Sequence, residues 1–157
     1  MKNKKIVILL CFFLLLSCGY KPIYSKKTFE NTYNFSITSI GFSGDNNINQ
    51  NIKNNLTNFI NIKSKTKKYD LTINTIKSIS VTSKNKKGNP EIFYMKIILN
   101  LEIFQNDKML SKKSFEEGFE YKNKSSKFNL KQYEESIQKN LTSKLSEEIV
   151  KYLFTIK

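Results

Sequence analysis

Six apolar residues alternate without a break along one stretch of this chain. Phe93, Met95, Ile97, Leu99, Leu101 and Ile103 share one parity, so one face of a strand there is wholly apolar. The other parity mixes Tyr94, Lys96, Ile98, Asn100 and Glu102 and is only half apolar. A strand divided in this way belongs in a sheet with one face packed on a core and the other facing water.

The neighbouring segments supply the rest of that core. Tyr33, Phe35, Ile37 and Ser39 alternate up to Gly41 and predict a first strand. Gly41 to Asp45 is turn chemistry, and Asp45 or Asn46 is expected to cap a helix. Ile48, Ile52, Leu56, Phe59 and Ile60 then fall on one helical face. The many asparagines there are poor helix formers, so packing has to hold this helix. Residues 63–68 read as a basic connection. Residues 69–83 read as a second strand, with a bulge expected near residues 76–78, where Ile76 leaves the parity of Leu71 and Ile73. Residues 84–90 form a loop, and residues 105–108 a hairpin. A last strand spans residues 109–121, with Phe115, Phe119 and Tyr121 in phase. A long helix follows, with Asn129 as the expected cap. Leu130, Tyr133, Ile137, Leu141, Leu145, Ile149 and Leu153 form its apolar stripe. The expected fold is α+β: a four-stranded sheet with two helices packed on one face, in the order β-α-β-β-β-α.

The N-terminus follows a different logic. Lys2, Lys4 and Lys5 precede an apolar run of eleven residues, 6–16, well short of the ~20 needed to span a bilayer. This is a secretory-signal pattern. Leu15-Leu16-Ser17-Cys18 reads as a lipobox, in which the Cys18 thiol takes a diacylglyceryl group as a thioether. Residues 1–17 are therefore expected to be a lipoprotein signal peptide, residues 18–32 the lipidated cysteine and a tether, and residues 33–157 the domain. Removing 17 residues and three lysines leaves 140 residues and a formal charge of +11. Cys11 leaves with the signal, so the mature chain carries no disulfide. Several acyl chains suffice for stable membrane anchoring. The tether residues 19–32 reach at most ~50 Å.

The residue inventory argues against catalysis. All 27 basic residues are lysine, and histidine is absent, which removes the commonest general base and metal ligand. A serine triad of the usual kind is thereby excluded. The paired glutamates 116–117, 134–135 and 147–148 read as solvated surface. No phosphate-binding glycine loop is present, and two cysteines cannot build a four-ligand zinc site. The expectation is a non-enzyme without metal or cofactor beyond the covalent lipid on Cys18. A formal +14 would suit nucleic acid, but an exported lipoprotein is not expected to meet it.

Cys18-Gly19-Tyr20-Lys21-Pro22-Ile23-Tyr24 resembles the start of LPS-assembly lipoproteins of the LptE family, in particular alphaproteobacterial-type members. The element order from residue 33 onward is similar to that family too. The resemblance implies a lipid-anchored outer-membrane protein on the periplasmic side or in a barrel lumen. It implies an LptD-like β-barrel as partner and lipopolysaccharide as ligand. A basic residue in the loop between the second and third strands is implicated in lipopolysaccharide binding in that family, and the matching positions are Lys84, Lys86 and Lys87. Lysine stands where the family often carries arginine, so contacts to phosphate would be point charges rather than forks. The alternative reading is an accessory periplasmic lipoprotein of another lipid-trafficking transporter.

Strand directions extend this site. If the last three strands form a meander, Lys122, Lys124 and Lys127 arrive at the same end as the loop carrying Lys84, Lys86 and Lys87. If the first two strands are parallel, the helix starts near Asp45 and Asn129 arrive there as well, and helix N-termini favour anions. The competing view is that these are solvated loop lysines enriched by an AT-rich codon bias.

Overall fold

The first strand, β1 (Phe35–Gly44), keeps its alternation for only three residues. The computed structural model describes residues 34–62 and 65–156, so Tyr33, Lys63, the expected signal peptide, Cys18 and the tether lie outside the described residues. Phe35 and Ile37 are buried, and then the register against the next strand slips between Ile37 and Ser39. The expected inward Ser39 is therefore displaced. Ile40 and Phe42 pack against the core instead, while the Ser39 hydroxyl bonds to the Asp70 carboxylate at 2.6 Å.

Helix α1 (Asn46–Leu56) buries Ile48, Ile52 and Leu56 completely. Asp45 caps it as expected, accepting from the Asn47 and Ile48 amides at 3.0 and 3.1 Å. The helix stops sooner than its apolar spacing suggested. A 3-10 turn (Thr57–Phe59) follows, and Ile60 is extended and bridges Ile37. Phe59 is buried by stacking on Phe35, with ring centroids 5.6 Å apart. Its burial thus comes from the edge of the sheet rather than from a helical stripe.

Strands β2 (Lys67–Lys84), β3 (Pro90–Gln105) and β4 (Lys108–Lys122) complete a sheet of order β1-β2-β3-β4. β1 and β2 are parallel, and the other pairs are antiparallel. The expected bulge at residues 76–78 is not there: β2 pairs with β3 in unbroken register from Asp70 to Val81, and the shifts come only at residues 81–84. Leu71, Ile73, Thr75, Lys77, Ile79 and Val81 all keep one parity. Ile76 simply lies on the open face, 51% exposed. The β3–β4 turn places Asn106 and Asp107 at φ of 49° and 62°, the left-handed geometry that suits a two-residue hairpin.

Helix α2 (Lys127–Thr155) buries Ile137, Leu141, Leu145, Ile149 and Leu153. Its cap is Ser126, whose hydroxyl accepts from the Asn129 amide, so Asn129 is the capped residue and not the cap. Both helices lie on the face made by Met95, Ile97, Leu99, Leu101 and Ile103, each 1% exposed or less. Asn55 donates to the Ser146 hydroxyl between the helices at 3.2 Å. The fold is α+β, with a mixed four-stranded sheet and two helices in the expected order.

Candidate functional site: the lysine-loop end

The six lysines named from the sequence reach one end of the sheet. Lys84 pairs with Pro90 across the β2–β3 connection, and Lys122 pairs with Ile92. The exit of β4 is stitched to the start of β3: the Asn123 amide donates to Glu91 O at 2.8 Å, and its side chain donates to Pro90 O at 2.9 Å. Lys84, Lys86, Lys87, Lys122, Lys124 and Lys127 are all exposed.

The lysine loop has a defined shape. The Asn85 carboxamide oxygen accepts from the amides of Lys87 and Asn89 at 2.9 and 3.1 Å. The Gly88 amide donates to Asn85 O at 2.9 Å, and Gly88 has φ 81°. With its own polar groups bonded internally, the loop turns Lys86 and Lys87 outward. On the helix side of the same end, Phe93 stacks on Tyr121 at 5.6 Å, and Tyr133 meets Tyr121 edge-on at 6.0 Å. Lys124 sits over the Tyr133 ring, 4.0 Å from its centroid, a contact of about 0.5–1 kcal/mol at an exposed site. The Tyr121 hydroxyl donates to Glu134 at 2.6 Å. Burial and the neighbouring Glu134 charge both push that hydroxyl's pKa upward, so it stays a donor.

The convergence of two helix starts does not occur. β1 ends where Gly44 pairs with Thr75. β2 continues nine residues beyond, from Thr75 to Lys84, or about 30 Å at ~3.3 Å per residue. The start of α1 therefore stands at mid-height of β2. Ser126, at the start of α2, is the helix terminus near the lysines. Its first turn holds no acidic residue and does hold Lys127, so helix dipole and side chain reinforce one positive potential.

What occupies mid-height is a polar junction that the sequence reading missed. The Asp45 amide donates to Thr75 Oγ1 at 3.1 Å, and Thr75 Oγ1 donates to the Asn49 carboxamide oxygen at 2.8 Å. The Asn49 amide group donates to Ser43 O at 3.1 Å. Gly44, at φ 93°, could not carry a side chain, since a Cβ there would lie 1.9 Å from the Thr75 carbonyl oxygen. Lys77 reaches the Asp45 carboxylate at 3.3 Å and the Gln138 carboxamide at 2.7 Å. Burial pushes the Asp45 carboxyl up. The Ile48 amide, the Lys77 charge and the Asn47 amide outweigh it, and the pKa ends below the usual aspartate value. The signal available in the sequence was a threonine and a lysine at core-facing positions of an otherwise apolar strand face.

Two openings flank α2. One cleft, of about 510 Å³, runs between α1 and α2 and is lined by Ile79, Met95, Lys77, Glu134 and Lys139 among others. The other, of about 470 Å³, runs beside β4 and is lined by Phe119, Tyr133, Ile137, Leu141 and Lys144. Phe119 projects into this second groove, 46% exposed, rather than under α2 with Phe115 and Tyr121.

The fold defined by this sheet and its helices is shared with solved lipoproteins. No family model matches the sequence, and no curated protein sequence matches it. The chain is similar to the rare lipoprotein B of Shewanella oneidensis, with 11% identity, a TM-score of 0.57, and coverage of 74% of this chain and 93% of that one. It is similar to a minor lipoprotein of Acinetobacter baumannii at 13% identity and TM-score 0.56, covering 77% and 92% of the two chains. Lipoprotein B of Nitrosomonas europaea gives 10% identity and TM-score 0.58, over 79% and 87%. At these identities the likeness is one of fold.

Proposed function

We propose that this chain is a lipid-anchored assembly protein of the outer membrane, attached through Cys18. It partners an LptD-like β-barrel and binds lipopolysaccharide during delivery to the cell surface. The observation that carries the reading is the fold shared with rare lipoprotein B over three-quarters of the chain, in a sequence that also holds a lipobox. The six lysines at the lysine-loop end support the ligand. They gather positive charge around one helix start, where multiply charged anions such as lipid phosphates are favoured. The protein acts by binding and positioning, with no covalent step, metal or cofactor.

The test is affinity purification of the full chain from detergent-solubilised outer membrane. A stoichiometric large β-barrel partner is expected. Recovery without a barrel, or with subunits of a periplasmic lipid transporter, would replace this reading with the accessory-lipoprotein one. Intact mass is expected to show a mature chain beginning at Cys18 and carrying acyl groups.

A further inference from the structure

The sheet has edges at β1, at β4 and along the upper part of β2, and the two that flank the lysine loop differ in style. β4 lies at the outside of the sheet along its whole length. It carries Lys112, Lys113, Glu116, Glu117, Glu120 and Lys122, the charged pattern by which edges are protected from further pairing. β2 becomes an edge only above Thr75, where β1 ends. There, residues 78–83 read Ser-Ile-Ser-Val-Thr-Ser, without a single charge. Ile79 and Val81 are 43% and 41% exposed.

The main-chain groups of this edge point the right way. The Thr75 carbonyl accepts from the Asp45 amide on the β1 side. Alternate residues of a strand direct their N–H and C=O to the same side, so Lys77, Ile79 and Val81 direct theirs outward as well. Among the described residues no strand pairs with them there.

We infer that the upper edge of β2, residues 77–83, takes up an extended segment of another protein as an added strand. The segment alternates apolar or β-branched residues opposite Ile79 and Val81 and carries acidic residues at the end lying against Lys84, Lys86 and Lys87. Charge selects this occupant. A second copy paired antiparallel has to match outward-directed residues with each other, as in Ile79 against Val81 about Ser80. Each copy's Lys84, Lys86 and Lys87 would then arrive beside Lys77 of the other edge, like charge upon like charge. At the other end Lys77 is already held by Asp45 and Gln138, so only the loop end calls for acidic partners. Main-chain bonds supply affinity in this mode and the alternate side chains supply selectivity. The inference is independent of the barrel and lipopolysaccharide reading.

The experiment uses the full chain in mild detergent and a synthetic seven-residue peptide, two acidic residues adjoining alternating threonine and valine, made in both chain orders. Amide hydrogen exchange is read along β2 and β4. One peptide order should slow exchange in residues 77–83 about tenfold or more, with β4 unchanged. Lysines in place of its acidic residues should weaken binding about tenfold. Ile79→Glu with Val81→Glu should abolish the effect at an unchanged melting temperature, because both side chains are already half in water. Equal protection of β4, no protection by either order, or an undiminished effect in the double variant would overturn the inference. So would protection of residues 77–83 that rises with protein concentration alone, because a second copy would then be the occupant.

Discussion

Ile73 and Ile79 are the same residue, on the same strand and the same face, yet one is fully buried and the other 43% exposed. The difference lies in their neighbours. At the height of Ile73 the sheet has four strands, with Phe42 opposite on β1. At the height of Ile79 β1 has ended and α1 has not yet begun. The lower half of the molecule is thus a closed helix–sheet core, and the upper half is a three-stranded extension roofed on one side by the start of α2. Burial here is decided by how far adjacent elements reach, which no strand's own pattern records.

Substitution should separate the two halves by size of effect. Ile73→Ala opens a cavity in the closed core and should cost about 2–5 kcal/mol, as should Leu99→Ala. Ile79→Ala should cost about 0.5 kcal/mol or less. Equilibrium denaturation of the three variants measures this, and similar losses at residues 73 and 79 would erase the distinction between the halves.

The junction between them comes next. Thr75→Val leaves the Asn49 carboxamide without its donor and the Asp45 amide with only a 3.4 Å contact to Thr75 O. A loss of about 1–3 kcal/mol is expected. A thermal melt indistinguishable from wild type would show that the junction is not a stabilising contact.

A smaller, pH-dependent effect belongs to Asp45. Its pKa is depressed in the fold, so its contribution is fully present above the ordinary aspartate value of ~3.9 and is lost as pH falls through the lower folded value. Asp45→Ala should therefore cost about 1 kcal/mol at neutral pH as a lost cap. Asp45→Asn keeps a cap and should differ from wild type near neutrality but converge with it in acid. Parallel stability curves over that range would remove the charge from the explanation.

The smallest effect on stability is expected at the lysine-loop end. Lys84, Lys86 and Lys87 changed together to Glu should alter stability by about 0.5 kcal/mol or less. On the proposed function, lipopolysaccharide binding should nevertheless fall strongly and in a salt-dependent way. Lys68, Lys108 and Lys151, exposed toward the opposite end, make the matched control. Equal losses from both triple variants would mean that total charge, and not its placement, governs binding.

The sequence made some of this legible for clear reasons. The alternation from Phe93 to Ile103 spans a strand paired on both sides, and the stripe from Ile137 to Leu153 covers it, so both patterns match their burial. The strand directions also carried six lysines to one end correctly. What failed were heights and local slips. Order and direction say at which end a helix begins, but not that β1 is 10 residues long and β2 is 18, which leaves Asp45 far below Lys84. The irregularity sought at Ile76 sits at Thr38 in β1, where a β-branched residue between Ile37 and Ser39 gives no warning. Lys77 looked like an ordinary surface lysine because its partners, Asp45 and Gln138, are 32 and 61 residues away.

The parallel pairing of β1 with β2 has a mechanical consequence. Chain enters β1 at the end opposite the lysine loop, where Lys67 also ties β2 to the Ile156 carbonyl at 2.8 Å. Tension applied between Phe35 and a load held at the loop runs along both strands. It meets the evenly spaced bonds of a parallel ladder broadside, all together, and cannot peel them one after another. The same tension between Phe35 and the C-terminal end of α2 acts within one end of the molecule and leaves that ladder unloaded. The fold therefore resists best along the axis joining the entry of β1 to its charged tip.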